Sequence, residues 1–440
     1  MKYFDSLWGL IREKASTENV SEMGWVFSGQ LVVILYGFAV IKIISRLGEA
    51  VYGKYVLIMT VASLASMLLF GPLTQGFIRY YFHYLSSGRA GTFVRYIYSN
   101  LFRIVLALLI LLCGGTLIYS LFVPLDSLAM ILLSVCFILI LKVGEFQNSH
   151  LNTLRKRKIN SLLQALEKSV IVASAFLLIY TDTLSLDNML KIFILPALSF
   201  SVIKQIYLWK LLPPDGNTAA PVSDESSQMR KALTGYITPF LIWGIAGWLQ
   251  LNGEKWIIAN LLSTADVGVY GVMVSLINVF IAVPNTIIAD FSTPLIFKKF
   301  SDLNNKPEIK DGLRLIWLTT AAVASFMCLS VVVTYFAGDL LIRLISSGGF
   351  TRYSYMLPLL SVGTGLFYVG QTICFPGMAL NMPQKYLVPK ITLGIVSVLF
   401  NTLFLSIFGI DGLAPSIILS SAVYCLHILY INKKIISRFY

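Results

Sequence analysis

Hydrophobic positions in this chain come in runs of about twenty, separated by short clusters of small, charged and proline residues, and the pattern continues from residue 24 to residue 432. A run of that length, wound as a helix, crosses a hydrocarbon core roughly 30 Å thick and satisfies its own backbone polar groups there. Twelve spans are predicted: 24–45, 55–77, 98–123, 126–148, 160–181, 188–209, 233–258, 268–292, 313–336, 354–377, 387–408 and 412–432. The longest interruption, LLPPDGNTAAPVSDESSQMRK at 211–231, has the Pro, Gly and Ser content of a flexible connection. The expected architecture is an all-α polytopic membrane protein with about 12 transmembrane helices in two pseudo-symmetric six-helix bundles. These cover 1–210 and 232–440, joined by a cytoplasmic linker at 211–231. A segment at 83–96 is expected to lie along the inner surface.

The two halves also echo one another in detail. RLGEAVYGKY carries Leu47, Ala50, Gly53 and Tyr55; LLSTADVGVY carries Leu262, Ala265, Gly268 and Tyr270. All four identities share one offset of 215 positions, and each set sits where one apolar run hands over to the next. Internal repetition of this kind is an architecture of membrane transporters, whose pathway lies between the repeats.

Composition and charge fix the environment. With 57% apolar and 12% charged residues and a mean hydropathy of +0.78, the chain lacks the polar surface to cover a water-soluble globule of 440 residues. The net charge of +13 is mostly a topology signal. Cations cluster at Lys2, Arg12 and Lys14; at Arg79, Arg89 and Arg95; at Arg155, Lys156, Arg157 and Lys158; and at Lys210, Arg230 and Lys231. Further on come Lys298, Lys299, Lys306 and Lys310, then Lys385, then Lys433, Lys434 and Arg438. The alternate loops carry only Arg46, Lys54, Arg343 and Arg352. The positive-inside rule therefore places both termini in the cytoplasm. No basic domain stands apart from the spans, so nucleic acid is excluded as a partner. The charged first 22 residues are too long for a signal-peptide n-region. Phe4, Leu7, Trp8 and Ile11 among them have the spacing of a short amphipathic surface helix.

Signatures of chemistry are missing. The histidines His83, His150 and His427 are scattered, and no HExxH, GxSxG, Walker or GxGxxG motif occurs. Cys113, Cys136, Cys328, Cys374 and Cys425 all fall inside spans without a CxxC pair, so neither a disulfide framework nor a zinc site is expected. Predicted outer loops are too short to build an extracytoplasmic catalytic site. The chain is read as not an enzyme, and without a cofactor.

What remains is a set of polar groups inside the spans, each costly unless it meets a partner, a cavity or the interface. Trp243, Gly247, Gln250 and Glu254 share one helical face, with Lys255 about 100° round. Ser275, Asn278 and Asn285 fall on one stripe of the next span, with Thr286 and Asp290 beside it. Lys42 and Arg46 end the first span; Glu167 and Lys168 lie in the fifth and Lys204 in the sixth. Neighbouring side chains on a helix point apart, so neither Glu167–Lys168 nor Glu254–Lys255 is automatically its own salt bridge; pairing across helices is the structural reading, and lining the path is the functional one. Arg103, Lys142, Lys191, Arg314 and Lys390, within two turns of a helix end, are expected to snorkel to the headgroups. Eight intramembrane prolines, Pro72, Pro196, Pro239, Pro284, Pro358, Pro376, Pro389 and Pro415, suit helices that bend.

Arg46, Leu47, Gly48, Glu49, Tyr52, Gly53 and Tyr55 resemble the first-hairpin motif of the polysaccharide transporter family. That family contains O-antigen and capsule repeat-unit flippases within the multidrug/oligosaccharidyl-lipid/polysaccharide exporter superfamily. Glu254, Lys255, Gly268 and Tyr270 are similar to its second-half motif, with Glu254 where Asp is more usual; Ala50 stands where Pro or Glu is frequent. The resemblance implies two bundles forming a V that opens to either side in turn. It also implies a cargo, an undecaprenyl-diphosphate-linked oligosaccharide crossing the bacterial plasma (inner) membrane, with membrane lipids and other polysaccharide assembly proteins as further partners.

Such a cargo is anionic and rich in hydroxyls, so its path needs cations, hydrogen-bonding groups and a stacking face. The candidate substrate contacts are Lys42, Arg46, Lys168, Lys204, Lys255, Gln250, Asn278, Asn285 and Trp243. Glu254 and Asp290 are candidates for charge balance or for coupling to a proton or sodium gradient. Three alternatives stay open: a multidrug exporter, which favours acidic cavities; a lipid II flippase, whose branch usually has fourteen spans; and a membrane glycan polymerase or acyltransferase.

Overall fold

The computed structural model describes residues 17–122, 128–212, 223–300, 306–380 and 382–436. The described residues form helices and turns, without a strand. In chain order the long rods are α1 (Thr17–Ile44), α2 (Glu49–Ser86), α3 (Ala90–Phe122), α4 (Leu128–Thr153), α5 (Arg157–Tyr180) and α6 (Leu186–Lys210). They continue with α7 (Ser223–Leu261), α8 (Thr264–Lys299), α9 (Lys306–Ile345), α10 (Leu357–Ile373), α11 (Leu387–Phe408) and α12 (Leu413–Ile436). Nine described stretches are long and apolar enough to cross a membrane. One of them, Gln384–Ile436, contains both α11 and α12, and the bent α7 raises the number to ten. With α1, these make the twelve rods expected.

Local chemistry sets the ends. Ser185 and Ser263 cap α6 and α8, their hydroxyls accepting from the backbone N–H of Asn188 (3.2 Å) and Asp266 (3.1 Å). Gly48, with φ of 96°, turns the chain between α1 and α2 in a conformation that side chains resist. Two rods contain a π-helical turn, Ser66–Phe70 in α2 and Asn278–Ala282 in α8. Each lies just ahead of a proline, Pro72 or Pro284. Proline cannot donate to the carbonyl four residues back and its ring crowds that carbonyl, so the ladder widens there.

Two expectations change. Residues 83–96 do not form a separate segment between spans; α2 runs to Ser86 and α3 starts at Ala90, with Gly88 (φ 71°) making the turn. Residues 223–231 of the expected linker are the start of α7, and 213–222 lie outside the described residues. The amphipathic pattern at Phe4–Ile11 also lies outside them.

By contacts, the chain forms two compact units. One comprises the segment ending at Val40 together with Leu68–Pro239, and the other comprises Ile41–Met67 and Phe240–Tyr440. The first is cored by Phe77, Phe93 and Phe146, with His150 edge-on to Phe77 at 4.6 Å and bonded through Nδ1 to the Tyr98 hydroxyl at 3.1 Å. Its α3 turns Phe102, Ile110, Leu111 and Ile118 outward, a face that is stable only against lipid. The second is cored by Ile296, Phe300, Ile316, Phe367, Tyr386 and Tyr424.

Candidate functional site

The repeat motif marks a junction inside the second unit. Helix α2 begins at Glu49 and α8 at Thr264, the same offset of 215 that relates the motif residues. These helices meet backbone to backbone at the repeated glycines. A Cβ on Gly53 would lie 1.9 Å from the carbonyl oxygen of Thr264, and one on Gly268 would lie 2.1 Å from that of Glu49. The contact is reciprocal, as a pseudo-two-fold axis requires, and only glycine permits it. Arg352 clamps the same place, its Nη2 reaching Glu49 Oε2 at 3.2 Å and Asp266 Oδ1 at 2.7 Å. Tyr353 also donates to Asp266, at 3.0 Å. Burial, and the carboxylate it faces, hold the Tyr353 hydroxyl above its ordinary pKa, so it remains a donor.

Lys42 and Arg46 close the end of α1. Lys42 Nζ donates to the carbonyls of Arg343 (2.9 Å) and Ser346 (2.5 Å), where the orphan carbonyls at the end of α9 attract a cation. Ser45 accepts through Oγ from the Ser347 N–H at 2.8 Å and through its carbonyl from the Ser347 hydroxyl at 2.5 Å. Arg46 is exposed.

In the first unit, Glu167 faces two lysines. Its Oε2 meets Lys204 at 3.0 Å and its Oε1 meets Lys168 at 2.8 Å; Lys168 also lies 4.9 Å above the Tyr36 ring. The Lys204 side chain is 1% exposed, so Glu167 is its only compensation among the described residues. Nearby, Gln147 exchanges hydrogen bonds with the Ser201 hydroxyl and carbonyl and donates to Gln205.

In the second unit, Lys255 pairs with Glu254 at 2.8 Å and donates to the Leu251 carbonyl, 2.8 Å away. Tyr270 of the repeat motif donates to Glu254 Oε1 at 3.3 Å. Adjacent Glu and Lys therefore do pair with each other, in both places, because their long side chains curl back across the 100° between them. Glu167 has a cross-helix partner as well. Four buried polar oxygens on α7 and α8 have no partner among the described residues: Gln250 Oε1, Glu254 Oε2, Asn285 Oδ1 and Ser292 Oγ. Asn278 is exposed at the start of the π turn, Trp243 is half-buried, and the Asp290 side chain lies outside the described ones.

Two lysines expected to snorkel turn to partners within the protein instead. Lys142 is buried on Glu145 at 2.7 Å. Lys390 lies under three aromatic rings. Arg103, Lys191 and Arg314 are exposed, as snorkelling requires.

No family model matches this sequence, and no curated protein does. Among solved structures, an inward-facing multidrug resistance MATE family transporter of the MOP superfamily aligns at TM-score 0.71 and 14% identity, over 92% of this chain and 94% of that one. The fold is that of MOP superfamily transporters. The lipid II flippase MurJ in an inward closed conformation aligns at 0.66 and 14%, over 94% of this chain and 87% of that one. A MOP superfamily transporter from Pyrococcus furiosus aligns at 0.64 and 14%, over 94% of each. At such identities the likeness shows the fold alone.

Proposed function

We propose that this chain is a flippase carrying an undecaprenyl-diphosphate-linked oligosaccharide, an O-antigen or similar repeat unit, across the bacterial plasma membrane by alternating access. The supporting observation is an excess of ammonium over carboxylate among the buried intramembrane charges. Lys168 and Lys204 share one carboxylate, and Lys390 has none. A path that must pass a diphosphate benefits from that sign, whereas one for cationic drugs does not. Unpartnered acceptors at Gln250 and Asn285 suit glycan hydroxyls, and Glu254 and Asp290 are the groups assigned to charge balance or to coupling with a proton or sodium gradient. Bundles over 1–210 and 232–440, joined at 211–231 with both termini cytoplasmic, form the proposed moving parts. The α2–α8 junction, with Lys42 and Arg352, is the outer gate in its closed form.

Proteoliposomes provide the test. A fluorescent polyprenyl-diphosphate oligosaccharide should become accessible to a membrane-impermeant quencher on the far side only when the protein is present. Transport of a cationic dye with no movement of the lipid-linked glycan would make the chain a drug exporter and end this proposal.

A further inference from the structure

The intramembrane lysines of this chain are almost all held by internal acceptors. Lys142 is on Glu145, Lys168 and Lys204 are on Glu167, Lys255 is on Glu254, and Lys42 is on two carbonyls. Lys390, in the first turn of α11, makes no hydrogen bond and no ion pair among the described residues. Its Nζ instead faces three rings from three other helices: Phe367 of α10 at 5.0 Å, Tyr424 of α12 at 5.7 Å and Trp243 of α7 at 5.9 Å. Aromatic faces attract an ammonium through their ring quadrupoles and accept none of its three N–H donors as conventional hydrogen bonds.

The cage is firm on one side and open on the other. Phe367 and Tyr424 are buried, and Tyr424 Oη accepts from Gln371 Nε2 at 2.6 Å and touches Cys374 Sγ at 3.6 Å. Lys390 and Trp243 are only partly buried, and the ammonium is not among the sealed polar atoms that lack a partner. A charge with free donors, no counter-ion and an open side is an anion-binding group. The half-buried indole beside it offers a flat apolar face of the kind that packs on the C–H side of a sugar ring.

We infer that Lys390 and Trp243 form a phosphate-ester subsite, Lys390 holding the phosphate and Trp243 the adjoining sugar, which deepens the flippase reading above and rests on it. Two sources could supply that phosphate, a polyprenyl-diphosphate cargo or a bilayer phospholipid, and the structure assigns it to the cargo because Trp243 adds a sugar-sized face that a simple headgroup leaves unused.

The full chain in phosphatidylcholine nanodiscs decides this by binding of radiolabelled farnesyl diphosphate, farnesol and farnesyl-diphosphate-linked N-acetylglucosamine. Wild type should bind the diphosphate at least about tenfold more tightly than farnesol. Lys390→Gln should erase that preference and Lys390→Arg should keep it, both unfolding at about the wild-type temperature. The added sugar should tighten binding about threefold, and Trp243→Leu should remove that gain alone. An undiminished preference in a folded Lys390→Gln protein would overturn the subsite. Complete displacement of farnesyl diphosphate from wild type by phosphatidylglycerol in the disc would overturn the cargo assignment, leaving a bilayer phospholipid site. Loss of diphosphate binding in Lys390→Gln with undisturbed glycan flipping would remove Lys390 from the path but spare the flippase reading. The reverse, an intact subsite in a protein that flips no glycan, would refute that reading instead.

Discussion

Glu167 is the residue whose removal the buried charges tolerate least. Without it, Lys204 is left almost fully enclosed with no counter-charge, a loss that elsewhere costs about 3–5 kcal/mol. Glu167→Ala should therefore lower the thermal unfolding temperature markedly, and Glu167→Ala with Lys204→Met should recover most of it. Equal destabilisation by single and double variants would mean the ion pair is not what holds α5 to α6. Gly53 makes a second case. An alanine there would place its Cβ on the Thr264 carbonyl, which is backbone and cannot step aside. Gly53→Ala and Gly268→Ala should each reduce translocation more than about tenfold at normal protein level, and alanine at Gly24 or Gly37, where nothing lies within 4 Å, should not. At this scale the sequence was only partly readable. The polar positions could be located, but their partners could not, because rotamers of long side chains decide them. Sequence left open whether Glu254 and Lys255 pair with each other or across helices, and they close on each other. Lys390, near a helix end, read as a snorkelling lysine, since nothing in one helix reveals that rings from three others surround it.

Among elements, the hairpin at the start of each repeat controls the junction. Arg352, on the loop after α9, ties α2 to α8 through Glu49 and Asp266 but is 42% exposed, so its ion pairs add little to global stability. Arg352→Ala should change unfolding by less than about 1 kcal/mol. It should nevertheless slow a disulfide between cysteines at positions 45 and 347, because it frees the loop that presents Ser347 to Ser45. A bridge that forms at the unaltered rate would show that Arg352 does not hold the loop. Rods and repeat were legible here because hydrophobic run length and a fixed offset survive without tertiary information. The prolines announced bends, yet the π turns ahead of Pro72 and Pro284, and the extension of α7 back to Ser223, depend on backbone choices that hydropathy does not record.

For the whole molecule, the distribution of cations makes a topological prediction. Reporter fusions after about residue 220 and at the C-terminus should both report cytoplasm; a periplasmic signal at either would break the proposed arrangement of two six-helix bundles. The twelve-rod layout was readable from the sequence, while the compact units, with Ile41–Met67 grouped beside Phe240–Tyr440, were not, because long-range packing between chain ends leaves no periodic trace. The most direct measurement joins gate and cargo. Ser45→Cys and Ser347→Cys are introduced into a chain without its own thiols, reconstituted with a fluorescent polyprenyl-diphosphate oligosaccharide, and oxidised. Translocation should stop as the bridge forms and resume on reduction, since the proposed function requires the α2–α8 junction to open for outward release. Glycan movement at its full rate through a quantitatively bridged protein would contradict both the gate and the alternating-access flippase built on it.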